Sequence, residues 1–140
     1  PNIAGVKEAS GDIGQMGDVI ALIKARRPDF AVFSGDDGLT LPLLALGGDG
    51  VISVLSNLAP KEVTEMTLAG LSGDFTKARA MHFKLLPAFK DAFIETNPIP
   101  IKAAMNMKGL PAGTLRLPLV SLSKEHEAKL RASFVAAGLL

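Results

Sequence analysis

The sequence predicts an α/β protein: three parallel strands, each followed by a helix, and then a helical segment. Three observations carry that prediction. Short apolar runs alternate with stretches of helical period at spacings of twenty to thirty residues, and parallel neighbours need such crossovers. The runs are continuously apolar, as in strands buried on both faces. Beyond residue 73 the periodic stretches are all helical.

Taken in order, Ile3 to Val6 is the first apolar run, ending at Lys7 before a polar turn from Glu8 to Asp12. Ile13, Met16, Val19, Ile20 and Ile23 recur at three- and four-residue spacing and mark one buried helix face, which should end before Pro28. Ala31 to Phe33 is the second strand, followed by the turn Ser34–Asp37 and an apolar helix through Leu46. The cluster Gly47, Gly48, Asp49, Gly50 is a turn. It precedes a strand, whereas phosphate loops follow one and open a helix. Val51 to Val54 is the third strand, and Pro60 suits the first turn of the helix after it. Asp74 to Ile94 carries a helical period with Pro87 as a kink point, a shorter helix follows the Asn97–Pro100 turn, and residues 110–122 read as a loop. Ser123 caps the last helix, with Glu125 in its first turn and Gly138 at its close.

Composition excludes several function classes. The 140 residues carry 15 Lys and Arg against 14 Asp and Glu, a net charge of +1 spread along the chain, so no basic footprint suits nucleic acid or an anionic membrane. No apolar run approaches the ~18 residues of a bilayer span. The absence of cysteine excludes disulfides, thiolate zinc sites and a cysteine nucleophile, and fits a cytoplasmic location. His82 and His126 lie too far apart in sequence for metal-ligand spacing, and Met16, Met66, Met81, Met105 and Met107 read as gap fillers in helix faces; no metal and no cofactor are expected. Tyr and Trp are both absent, so any phenolic proton shuttle must come from elsewhere. A chain opening at Pro1 on a buried strand, with a three-stranded sheet whose two edges lack partners, leads to the expectation that a preceding segment is missing.

Four places bear on chemistry. Lys7 stands at the carboxyl end of a parallel strand, where binding and catalytic side chains collect in βα folds. An amine attacks a carbonyl at neutral pH only when its pKa, ordinarily about 10.4, is lowered by burial or nearby cations. By position alone Lys7 is equally a solvated lysine at a strand exit, and lysine is rarely buried. The turn Ser34, Gly35, Asp36, Asp37 offers a carboxylate pair or a cation site, but also reads as a capping turn with no third oxygen ligand nearby. Gly35 would let a small ligand approach its backbone. Asn57 and the Asn97–Pro100 segment are ambiguous, since Asn and Pro dominate turns.

The strings GVKEASGD (5–12), FSGDD (33–37), GGDGVISVLSN (47–57), NPIPIKAAMNMKGL (97–110) and TLRLPL (114–119) resemble, in order and spacing, those of the dihydrodipicolinate synthase family, across nearly all of the chain. The wider superfamily includes N-acetylneuraminate lyase and keto-deoxy sugar-acid aldolases, which share the imine lysine; the GVISV block with Asn57, and the NPIP segment, look more like the synthase branch. The resemblance implies the C-terminal half of a TIM (β/α)₈ barrel, strands and helices six to eight over residues 1–72, with a C-terminal helical extension over 73–140. It implies that Lys7 forms the imine with pyruvate, and that the enamine derived from it attacks aspartate semialdehyde. Backbone at Gly35 and Ile52 would lie against pyruvate, and Asn97 near the second substrate. It further implies small-molecule substrates, a homo-oligomer, and a partner in the missing N-terminal half-barrel or in self-association. The family's relay tyrosine before strand six, its early threonines and its carboxylate-binding arginine fall in a half that these residues do not contain; a barrel takes roughly 250 residues. The alternatives are a sugar-acid or N-acetylneuraminate-type aldolase, and a non-catalytic half-barrel serving assembly.

Overall fold

The computed structural model describes residues 2–140, so the reading of the chain's opening at Pro1 lies outside the described residues. Three strands, β1 (Gly5–Glu8), β2 (Ala31–Ser34) and β3 (Gly50–Val51), form one parallel sheet in the order β1-β2-β3. Lys7 stands opposite Phe33, and Phe33 opposite Gly50. The described residues also form six α-helices: α1 (Ile13–Lys24), α2 (Thr40–Ala45), α3 (Pro60–Leu71), α4 (Phe75–Asp91), α5 (Ile99–Met107) and α6 (Lys124–Ala136).

Local chemistry explains most boundaries. Asp12 caps α1 by accepting from the N–H groups of Gly14 and Gln15, Pro60 opens α3, and Ser123 accepts from His126 N–H at the start of α6. The turn before β3 is closed by fit: a Cβ on Gly48 would overlap the Leu43 side chain and lie 3.0 Å from the Leu43 carbonyl oxygen. Asp49 then ties that turn to β2 and α1. Its carboxylate accepts from Val32 N–H at 2.7 Å and from Lys24 Nζ at 2.8 and 2.9 Å. Partial burial pushes the Asp49 carboxyl up, but the Lys24 ammonium and the Val32 amide outweigh it and hold the group below its ordinary value.

Several elements differ from expectation. The third strand has two residues rather than four, because the chain leaves the sheet at Ile52 and winds into a 3₁₀ turn at Leu55–Asn57. A 3₁₀ turn at Asp37–Leu39 likewise precedes α2. Helix α4 stops at Asp91 and keeps Pro87 within it, and Ile13 is 40% exposed rather than part of the buried stripe.

Packing divides the sheet into unlike faces. Val6 and Val32 point toward Met16 and Ile20 of α1 and Leu43 of α2, a small apolar cluster. Alternation along the strands sends Gly5, Lys7, Ala31 and Phe33 to the other face. No helix among the described residues covers that face, and Lys7 and Ile52 are exposed. The apolar runs were read as buried on both sides, but within these residues only the helix side is. The larger core lies elsewhere, where Leu55, Leu58, Val63 and Met66 pack with Leu85 and Phe89 of α4, Ile101 of α5 and Leu130 and Phe134 of α6.

Candidate active site

The candidate site grows from the carboxyl ends of β1 and β2. The Gly35 N–H extends the ladder past the end of β2, donating to the Glu8 carbonyl at 2.6 Å. A Cβ on Gly35 would overlap that of Ala9, lie 2.9 Å from Lys7 Cε and 3.0 Å from the Glu8 oxygen. The Lys7 side chain therefore crosses the bare Cα of Gly35, and any larger residue would displace it. One strand further on, the Ile52 N–H donates to the Ser34 carbonyl at 2.8 Å, and its side chain is 47% exposed on the open side. The N–H groups of both Gly35 and Ile52 are thus engaged in extending the sheet, while their carbonyl oxygens accept no hydrogen bond among the described residues. Lys7 and Gly35 are in contact. Asn97 is exposed in the turn before α5, and among the described residues no hydrogen bond joins it to Lys7, Gly35 or Ile52.

The burial that would activate Lys7 is not supplied by these residues, since the side chain is exposed and enters no ion pair with Asp or Glu among them. Its neighbour Glu8 faces the opposite way and is only 7% exposed. One Glu8 oxygen accepts from Ser10 N–H at 3.0 Å and Gln15 Nε2 at 2.9 Å, pinning the turn after β1 to α1; the other is buried with no partner among the described residues.

The Ser34–Asp37 turn does two separate jobs. Ser34 Oγ accepts from Asp36 N–H at 3.1 Å and donates to the Asp36 carbonyl at 2.6 Å, and Asp36 Oδ1 accepts from Gly38 N–H at 2.7 Å. That much is the capping turn the sequence suggested. Asp37 does something different. It is 2% exposed, and its Oδ2 reaches across to the N–H groups of Val54 at 2.9 Å and Leu55 at 3.2 Å. Glu8 did not stand out in the sequence, and Asp37 did so only as half of a carboxylate pair or as a residue of a capping turn. The partners of Asp37 lie seventeen and eighteen residues away, so no local spacing marks it. Among the described residues no group of three His, Cys, Asp or Glu could hold a metal ion, and no helix is long and apolar enough to cross a membrane. A cavity of about 360 Å³ opens between the turns after β1 and β2 and α4, lined by Gly11, Asp36, Gly38, Leu86, Phe89 and Phe93 among others; Lys7 is not in its wall.

Comparison with known proteins agrees with this architecture. The model of the dihydrodipicolinate synthetase family matches residues 1–137. The 4-hydroxy-tetrahydrodipicolinate synthase of Protochlamydia amoebophila is 56% identical over 129 residues, which are 92% of this chain and 43% of that protein. The enzyme of the same name from Methanocaldococcus jannaschii is 51% identical over 139 residues, 99% of this chain and 46% of that one. The crystal structure of dihydrodipicolinate synthase from Thermotoga maritima superposes with a TM-score of 0.95 at 48% identity, covering 99% of this chain and 47% of that one. The chain thus spans a little under half the length of the relatives it matches, and its three strands with their helices are part of a TIM-barrel α/β fold. With the family model covering all but its last three residues, the chain belongs to the dihydrodipicolinate synthetase family.

Proposed function

We propose that this chain carries the imine-forming end of a class I aldolase that condenses pyruvate with aspartate semialdehyde, with Lys7 as the nucleophile. The observation that carries the reading is the contact at the strand ends: in a chain of this family, the lysine at the carboxyl end of β1 lies across a glycine that leaves its Cε no competing side chain. Neutral Lys7 Nζ adds to the pyruvate ketone, and loss of water leaves the imine. The protonated imine draws electrons from the neighbouring methyl carbon, which gives up a proton to form an enamine. That carbon then bonds to the aldehyde carbon of the second substrate, whose oxygen takes up a proton. The carbonyl oxygens of Gly35 and Ile52 accept no hydrogen bond among the described residues, and such oxygens suit a cationic imine. Asn97 is assigned to the second substrate.

On this reading residues 1–72 are the strand-bearing half-barrel and residues 73–140 the helical extension. The half-barrel that precedes them in the relatives supplies the remaining strands, the acid-base groups and the cover over Lys7. The complete protein works as a homo-oligomer in the cytoplasm, and the 140 residues alone are inactive or feeble. No cofactor, nucleic acid or membrane takes part. Borohydride reduction in the presence of pyruvate, followed by peptide mass spectrometry of the full-length protein, should place the reduced adduct on Lys7; an adduct on another lysine refutes the assignment. Competition between aspartate semialdehyde and keto-deoxy sugar acids tests the acceptor. Efficient turnover of the sugar acids alone would move the chain to the sugar-acid aldolase branch.

A further inference from the structure

Asp37 follows Gly35 by two residues, and the amides that it binds follow Ile52 by two and three. From this juxtaposition we infer that Asp37 is a positioning residue: it fixes the separation of the Gly35 and Ile52 backbone walls between which pyruvate is held. The inference rests on the imine reading given above. Among the described residues Ile52 is fastened by its N–H to the Ser34 carbonyl at 2.8 Å. The next fastening is Asp37 Oδ2, which accepts from both Val54 and Leu55. Ile52 and Ser53 are bracketed between two anchors, and both anchors belong to β2 and its turn.

The chemistry favours a dedicated clamp. Val54 precedes the Leu55–Asn57 turn, which receives no capping side chain from its own N-terminus, so its first N–H groups would otherwise lack partners. Asp37 caps that turn from another loop. One carboxyl oxygen accepts two amides, and at 2% exposure no water competes for them. The other oxygen, Oδ1, is buried without a partner among the described residues, a penalty that a plain packing residue would not incur. Asp37 is too enclosed to meet substrate; its effect passes through the backbone of Ile52.

The test uses the full-length protein and reads KM for pyruvate, kcat and the borohydride adduct on Lys7 together. Asp37→Ala frees the segment after Ile52 and should raise KM for pyruvate by about 10- to 100-fold while kcat changes much less. Asp37→Asn keeps an oxygen able to accept both amides and should restore KM to within about threefold of wild type. Leu85→Ala, which opens the helical core away from the sheet, should lower stability without moving KM. If Asp37→Ala yields no folded protein, Asp37→Ser, whose hydroxyl is too short to span to Val54, carries the same prediction. The inference is overturned if Asp37→Ala (or Asp37→Ser) leaves KM unmoved, if Leu85→Ala raises it equally, or if Asp37→Asn is as impaired as Asp37→Ala. Wild-type protein that forms no adduct on Lys7 removes the imine reading and this inference with it, whereas a normal adduct with an unmoved KM removes the inference alone.

Discussion

Replacing Gly35 with alanine adds one methyl group at the most constrained point of the candidate site. In open space that methyl would help, because a Gly→Ala change at a compatible backbone restricts the unfolded chain and stabilises by about 0.4–1 kcal/mol. Gly35 is not among the positive-φ glycines, so its backbone permits alanine; the obstacle is space. The new Cβ would overlap Ala9 Cβ and approach the Glu8 oxygen to 3.0 Å, and both neighbours are held by the 2.6 Å bond from Gly35 N–H to that same oxygen. Overpacking of this kind costs about 1–3 kcal/mol. It exceeds the entropic gain, leaving a net loss of roughly 1–2 kcal/mol. Thermal denaturation of the full-length protein should register this as a Tm lower by about 2–4 °C per kcal/mol. The methyl also meets Lys7 Cε at 2.9 Å, so the ammonium end must swing aside, and borohydride trapping of pyruvate should slow by at least about tenfold. A Gly35→Ala protein with wild-type Tm and wild-type trapping rate would refute the packing argument, because the space claimed to be filled would be empty.

Other outcomes follow from features away from Lys7. Phe134→Ala, at a fully buried position in the larger core, should cost about 3–5 kcal/mol in urea denaturation; a loss below 1 kcal/mol would mean that α6 is not docked as described. Gly48→Ala should destabilise by about 1–3 kcal/mol through its overlap with Leu43, and adding Leu43→Val should recover part of that loss, so a strictly additive double mutant contradicts the contact. His82 is buried against the rings of Phe83 and Phe89, and that burial holds its pKa below the ordinary 6.5. The unfolded chain therefore binds the extra proton first, and stability should fall as pH drops through about 6.5 and below. His82→Leu should flatten that limb of the stability curve; an unchanged pH profile would place the titration elsewhere.

What the sequence made legible was whatever depends on neighbours along the chain. The stripe of Met16 and Ile20, the Ser123 cap and Pro60 at a helix start all act within a turn or two, and the structure places them as read. The third strand shows where local reading stops. Val51 to Val54 is strand-like in composition, yet the Val54 amide goes to Asp37 rather than to a ladder. A tertiary hydrogen bond overrode β-propensity, and it was invisible because its partner sits in another turn. The same distance concealed Asp37, which looked like one more turn residue beside Asp36. Lys7 is the converse case. Its place at a strand end could be read directly, and the bare Gly35 was flagged as a point of close approach, but whether the lysine is buried depends on strands that these residues do not include.

The uneven division of the two apolar clusters separates the order in which parts of this molecule give way. The strand that bears Lys7 and the helix after it rest on four buried residues, whereas α3 to α6 share a cluster of fifteen. Opening free energies follow local burial, so β1 and α1 form the least protected unit and should exchange their amide hydrogens first. Within these 140 residues, Lys7 is thus carried by the portion that lets go most readily. On warming these 140 residues, the amides of β1 and α1 should exchange while most of the helical signal in circular dichroism persists, and local opening and unfolding become two events rather than one.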